Sequence, residues 1–356
     1  MSPLIPLNRL SRLSAPLVLV PLIVAFALWA FAWPAARTEP RDLPLGVAGP
    51  PAATEQVREG LQQREGAFEL HTYPDEGAAR DAIKDREIYG AVAVSPSGPK
   101  LLTATAAGPV VAQLLEQAAA RMAPDGGTVP TDDVVAAPPE DPRGAVLSAS
   151  VLPMAIAGVA GGALVALMRL RGTRGVVVLL GVAALVGAVG AGITHSWLGV
   201  LGGNWWAEAA AIGLTALAVS ATVAGLEALL GTAGIGIGGL IAVLLGNPTS
   251  GVTSAPEMLP EPLGWLGQLL PPGAGGSLLR SVSFFDGKAA DTPVLVLTVW
   301  AVLGLVAVTV GGLRKDRDRA AGGPEAATDA ATDAATDAAT DADAPAERPI
   351  TTAPVG

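Results

Sequence analysis

Apolar residues run along this chain in long uncharged blocks, unlike the short alternations of a soluble protein. Residues 15–33, 148–168, 175–193 and 293–313 each come close to the roughly 20 residues that a helix needs to cross a bilayer. Residues 209–245 hold two further passes, 209–230 and 231–245, joined by a glycine-rich reversal. The second of these would be only about 22 Å long as a helix, short of a hydrocarbon core of roughly 30 Å. The pattern therefore predicts six transmembrane helices, the short one opening into an outer vestibule closed by residues 251–285, with bilayer thinning around it as the plain alternative.

Between the first block and the second, residues 37–147 change character. Short alternating runs at 45–48, 68–73, 89–94 and 101–106 read as strands, the last two as a hairpin across residues 95–98. Helical patterns occupy 53–64, 75–86 and 109–122, and Val134 and Val135 suggest a final strand. The expectation is a small α/β domain outside the membrane, bounded by an N-terminal segment and span at 1–36.

The stretch from 246 to 287 fits neither class. Its six prolines are too many for a spanning helix, yet Leu, Trp and Phe recur too often for a solvated loop. Non-helical backbone at membrane depth persists only where protein or a water-filled cavity covers it. A re-entrant or interfacial element over residues 247–287 follows, with apolar pieces at 263–270 and 278–285 and a mobile break at 271–276. Its candidate pathway or gate residues are Asn247, Pro248, Pro271, Gly273 and Arg280. Arg280 is expected to lie off the apolar face, in reach of water or of Glu257, Glu261 or Asp286.

Composition agrees with a membrane protein: 51% of residues are hydrophobic, 15% are charged, and the mean hydropathy is +0.49. Bases cluster at Arg9 and Arg12, at Arg169, Arg171 and Arg174, and from Arg314 to Arg319. An even number of crossings puts all three clusters on one side, so both termini are expected in the cytoplasm of a multi-pass cell-membrane protein. A retained anchor is favoured over a signal peptide at 15–33, because the apolar run exceeds a signal-peptide core. The formal charge of −10 comes mostly from the acidic tail and from 37–147. Without a basic patch, nucleic acid is an improbable partner; the lipid bilayer is the obvious one. The tail, 314–356, repeats Ala-Ala-Thr-Asp four times and is expected to be disordered.

Several residue groups support a resemblance. They are the run Asp85-Arg86-Glu87-Ile88-Tyr89-Gly90-Ala91-Val92, then Asp141-Pro142-Arg143-Gly144 and Asn247-Pro248-Thr249-Ser250-Gly251. To these are added the Leu259-Pro260, Leu270-Pro271-Pro272-Gly273, Leu279-Arg280 and Phe285-Asp286-Gly287 series. With one N-terminal span, an outer domain and five clustered spans, the chain resembles the ABC-2-type permeases, in their YhgE/Pip-type and related actinobacterial branch. The resemblance covers about residues 8–315. It implies a permease subunit of an exporter, a separate ATP-binding chain as partner, and room for a homodimer. Cytoplasmic elements engage the ATPase in such permeases, which makes Arg169, Arg171 and Arg174 the candidate coupling loop. A departure is that this loop spans only residues 169–174.

No catalytic constellation emerges. There is no G-x-x-x-x-G-K-[ST] phosphate loop, no cysteine, and only two histidines, His71 and His195. No enzyme activity, cofactor or metal is therefore expected. Asp75-Glu76 and Asp132-Asp133 read as a helix start and a strand edge. His195 reads as a polar helix end, and Glu208 as a solvated acid among interfacial tryptophans. Glu227 is the candidate intramembrane acid, functional by default or else in reach of inner-surface water or of Arg169 or Arg174. The expected function is export of an apolar or amphipathic compound. The alternative is an envelope-anchored binding or scaffold protein acting through its outer domain.

Overall fold

A computed structural model describes residues 7–96, 98–122 and 129–313. The expected disordered tail and its leading bases, Arg314 to Arg319, lie outside the described residues.

Helix α1 (Leu7–Ala35) leads into a five-stranded sheet of order β2-β1-β3-β4-β5. Strands β1 (Leu43–Ala48), β2 (Phe68–Tyr73) and β3 (Gly90–Ser95) run parallel. Strand β4 (Gly98–Thr103) pairs antiparallel with β3 as the expected hairpin, in register Ser95 to Gly98. The last strand, β5 (Thr131–Asp133), falls just before the Val134-Val135 pair that suggested it. Three helices, α2 (Pro51–Gln62), α3 (Glu76–Lys84) and α4 (Pro109–Met122), connect the strands. Asp75 caps α3 by accepting from the Ala78 N–H at 2.9 Å. Asp132 is held by Arg80 and Lys100, and Asp133 accepts from the Thr105 N–H, so both acids serve the sheet edge.

This domain does not complete its own cores. On one face Ile83, Ala91 and Leu102 pack with Phe285, which lies just beyond the end of a distant helix. On the other, Leu43, Leu101 and Val111 pack with Ala255 and Met258. Main-chain bonds from Glu39 N to Met258 O (3.1 Å) and from Arg41 N to Glu257 O (2.9 Å) seal the seam. Burial of a large side chain contributes about 1.5–3 kcal/mol, so losing Met258 and Phe285 together removes a sizeable part of a small domain's stability. Residues 37–143 expressed alone should therefore fail to give a cooperative thermal transition. A sharp, two-state melt of that fragment would show that the seam is dispensable.

Among the described residues, five helices are long and apolar enough to cross a membrane: Leu17–Ala35 within α1, α5 (Ala145–Leu167), α6 with its π-helical end (Gly172–Trp197), α7 (Trp205–Leu230) and α11 (Asp291–Leu313). The short fifth pass expected at 231–245 is not among them. Helix α8 and its π-helical extension (Ala233–Gly246) add only a short apolar rod, no more than about 21 Å long.

Helix α7 is the axis of the bundle. Small residues let its neighbours approach closely. A β-carbon on Gly158 of α5 would come within 2.6 Å of Val219, and one on Gly304 of α11 would collide with the Ala221 backbone. Asp141 opens α5 by accepting from the N–H groups of Ala145 and Val146, both at 2.8 Å.

The short helix α8 runs antiparallel to α7, Gly234 abutting Leu226 and Gly238 abutting Val223. It ends at Gly246 against Pro272. Helix α10 (Pro271–Phe284) comes from the opposite direction, with Gly275 against Thr215 and Val282 against Gly203 at the domain-side end of α7. Thr215 lies ten residues into α7, or about 15 Å from its domain-side end. The two rods therefore meet near half depth.

The sequence predicted a mobile break at 271–276; instead these residues form the first turns of α10 and are buried. Proline is tolerated there because the first helical N–H groups have no partner in any case. The interruption of the helical path lies earlier, between α8 and α9 (Leu263–Gln268). There Thr249 Oγ1 donates to Leu245 O, Ser250 Oγ donates to Asn247 O (both 2.7 Å), and Gln268 Nε2 donates to Ser250 O at 2.8 Å. Side-chain donors of this kind satisfy backbone that a broken helix leaves open.

Candidate functional site

A chamber of about 670 Å³ lies where the sheet domain meets α10 and the segment that precedes it. Arg41 and Arg86 come from the domain, Glu257 and Trp265 from the segment between α8 and α10, and Arg280 from α10. Tyr89 closes one wall by donating from its hydroxyl to Glu257 Oε2 at 2.9 Å.

Arg86 reaches the chamber because the α3–β3 connection turns through a left-handed residue, φ +61°, which a non-glycine residue adopts only at some cost. Its Nη1 donates to Ser277 O at 3.1 Å and also to Ser281 Oγ, while the guanidinium sits 5.3 Å from the centre of the Phe285 ring. Arg86 is half-buried and borders the chamber. Burial lowers its pKa, opposed by Tyr89 and Glu257. Burial raises the Tyr89 phenol, and the Glu257 carboxylate raises it further. The phenol therefore stays protonated and remains a donor.

Arg280 was expected near water or a carboxylate. It is 3% exposed instead, donating from Nη2 to Val252 O at 2.8 Å. Its Nε is buried with no hydrogen-bond partner, and among the described residues neither Arg280 nor Arg86 forms an ion pair. Spacing predicts one helix face for Leu278, Val282 and Phe285; Leu278 and Val282 do pack together in the bundle, whereas Phe285 packs into the sheet domain.

The other expected site residues scatter. Asn247 and Pro248 border a second cavity of about 400 Å³, together with Phe31, Thr38 and Ser148. Pro271 and Gly273 are packed and lie off the chamber; a β-carbon on Gly273 would strike Gly267 O. At the far end of the bundle Arg169, Arg171 and Arg174 border a third cavity, of about 630 Å³, with Thr309 and Leu313. Arg171 Nη2 meets Glu227 Oε1 at 2.9 Å, so the intramembrane acid is paired, with the one arginine of the three not named for it.

Glu208 corrects another expectation. It is fully buried, accepts from the Gly203 N–H at 2.9 Å and lies 2.9 Å from His195 Nδ1. The tryptophans beside it, Trp197 and Trp206, are the exposed groups. Its position in the first turn of α7 also places it at the positive end of the helix dipole. Arg86, Tyr89 and Glu208 were not singled out as site residues, and only a charged or hydroxylated group next to an apolar element hinted at them.

Among the described residues no group of three or more His, Cys, Asp or Glu side chains could hold a metal ion. No family model matches the chain, and neither a curated protein nor a solved structure is similar to it.

Proposed function

We propose that the chain is the membrane subunit of an ABC-2-type exporter whose cargo occupies the chamber between the sheet domain and the re-entrant element. The observation that carries this reading is the meeting of α8 and α10 near half depth beside α7. Discontinuous helices that meet inside a bundle are a recurring construction of transporters, where broken backbone borders a substrate path. The five long spans and this composite crossing make an even number of passages. The sheet domain then faces outside, and Arg169, Arg171 and Arg174 face the cytoplasm, in keeping with the positive-inside rule.

The same helix α10 borders the chamber and supplies the seam of the outer domain. A shift of the α8–α10 junction is thereby transmitted to the chamber. Purification in mild detergent tests the reading: an ATP-binding chain should copurify, and Arg171→Ala should weaken its retention. Transport by the isolated protein without nucleotide would refute ATPase coupling. One observation favours the second reading, a binding protein without an ATPase. The loop at 169–174 is short, and Arg171 is already engaged by Glu227. Recovery of the protein without any ATP-binding chain, together with ligand binding at the outer domain, would select it.

Sidedness is a separate expected outcome. Cysteines placed singly at the exposed Glu65 and at Thr328 in this cysteine-free chain should differ on intact cells. An impermeant maleimide should label position 65 and spare position 328; the reverse would invert the arrangement.

A further inference from the structure

We infer that the chamber is a binding site for a phosphate oxyanion carried as the headgroup of an amphipathic lipid. This inference deepens the proposed function by naming the class of its cargo, and it rests on that reading for the step of transport, though not for binding.

Two guanidinium groups, one buried and one half-buried, border one cavity without a carboxylate of their own. Burying a cation without a counter-charge is costly, and two such groups side by side are costlier still. The one nearby acid of the enclosed wall, Glu257, is engaged by the Tyr89 hydroxyl. Glu87 and Glu261 also border the chamber, but both are exposed. Arg41 is the third guanidinium; it binds Glu39 Oε1 at 2.5 Å and Met258 O at 3.2 Å. The fixed charge at the inner wall is thus one carboxylate against Arg86 and Arg280. The buried Nε of Arg280 has no acceptor within the protein.

Several features select a phosphate over a carboxylate. The guanidinium groups come from three separate elements: the α1–β1 linker, the α3–β3 turn and α10. A planar carboxylate fits one arginine fork, whereas a tetrahedral anion offers oxygens in several directions and can accept from converging donors. The Tyr89 hydroxyl, engaged by Glu257, and the Ser277 and Gln268 side chains, bonded to each other and to Ser250 O, are neutral polar groups that border the same space and add no competing charge.

The lipid character follows from the rim. Trp265 borders the chamber and is 67% exposed, and Leu266 and Leu269 beside it are exposed as well. Amphipathic rings of this kind settle at the headgroup level of a membrane. A headgroup in the chamber would leave acyl chains beside Trp265, Leu266 and Leu269, in the surrounding bilayer.

The test is native mass spectrometry and thermal shift on the full chain in neutral detergent, without any ATPase partner. The probes are dioctanoyl phosphatidic acid, inorganic phosphate and uncharged dioctanoylglycerol. The short phosphatidic acid should bind and stabilise, and dioctanoylglycerol should not. Arg86→Gln and Arg280→Gln should each weaken binding at least about tenfold, the loss expected for a charge-assisted contact. Trp265→Ala should weaken the lipid and leave inorganic phosphate unaffected. Arg280→Lys keeps the buried charge and guards against a folding defect, and Arg86→Gln changes a group already on the chamber wall. If inorganic phosphate binds as tightly as the lipid and with the same arginine dependence, the oxyanion site stands and its source is a soluble phosphate. If both arginine variants bind the lipid as the wild type does, or if no phosphate compound binds, the inference fails. Failure of transport with binding intact would count against the exporter reading alone.

Discussion

Gly267→Ala should dislodge the segment between α8 and α10 and lower stability by at least about 3 kcal/mol, at the upper end of overpacking costs. A β-carbon at Gly267 would strike the carbonyl of Thr249, a backbone atom at the interruption that has no rotamer to give way. The neighbouring approach of Gly264 to Pro256 O is equally close, so the segment cannot slide to relieve the clash. Gly236→Ala in α8 is the matched control, since nothing lies within 4 Å of its β-carbon and alanine favours the helix. Hydrogen exchange in lipid nanodiscs and thermal melting would report the two. In the wild type, exchange should be slow through 271–284, including the Pro-Pro-Gly-Ala-Gly-Gly run that opens α10. Leu278→Asp places an unpaired charge in the core shared by α5, α7, α10 and α11, and should be as damaging as Gly267→Ala. Wild-type stability in both variants, with fast exchange from 251 to 285, would mean that this segment is only a linker.

Periodicity and punctuation made most of the architecture readable. Uncharged blocks of about 20 residues announced four of the long spans and α7, because hydropathy alone decides whether a helix can cross. The strands and helices of the sheet domain came within a few residues, since local alternation and capping residues such as Asp75 are local signals. What stayed hidden depended on contacts between distant segments. Pro271 to Gly276 read as a break because Pro and Gly disfavour helix interiors. As the first turns of a helix, the prolines cost little, and the glycines fit against Thr215 and Val252. Arg280 and Glu208 read as solvated because each charge sits in an otherwise apolar stretch near an interface. The sheet domain covers the first, and the Gly203 N–H with His195 satisfies the second. Nothing in a single sequence states which partner will arrive from 200 residues away to bury Arg280 beside Arg86. Only the pairing of Glu227 with a base of the 169–174 loop was anticipated in kind, though with the wrong arginine.

That pairing gives the second large expected effect. Arg171 and Glu227 meet at the far end of the bundle with side chains 19% and 11% exposed, and Arg171 sits at the start of α6 just after the left-handed turn at Arg169. Removing one member of a largely buried pair leaves the other uncompensated, at a cost of about 3–5 kcal/mol, the lower figure being apt for groups that keep some exposure. Replacing both by apolar residues is often neutral or stabilising, because the desolvation of two charges is relieved together. Arg171→Leu and Glu227→Leu should therefore each lower thermal stability in detergent, and the double variant should recover most of the loss. A double variant whose destabilisation equals the sum of the singles would show that the two groups act independently. If, as proposed, the pair also links the 169–174 loop to the α7–α8 reversal for coupling, the double variant should fold normally yet lose the proposed ATP-binding partner and transport. Normal stability together with normal transport in that variant would confine the pair to a structural role and remove 169–174 as the coupling element.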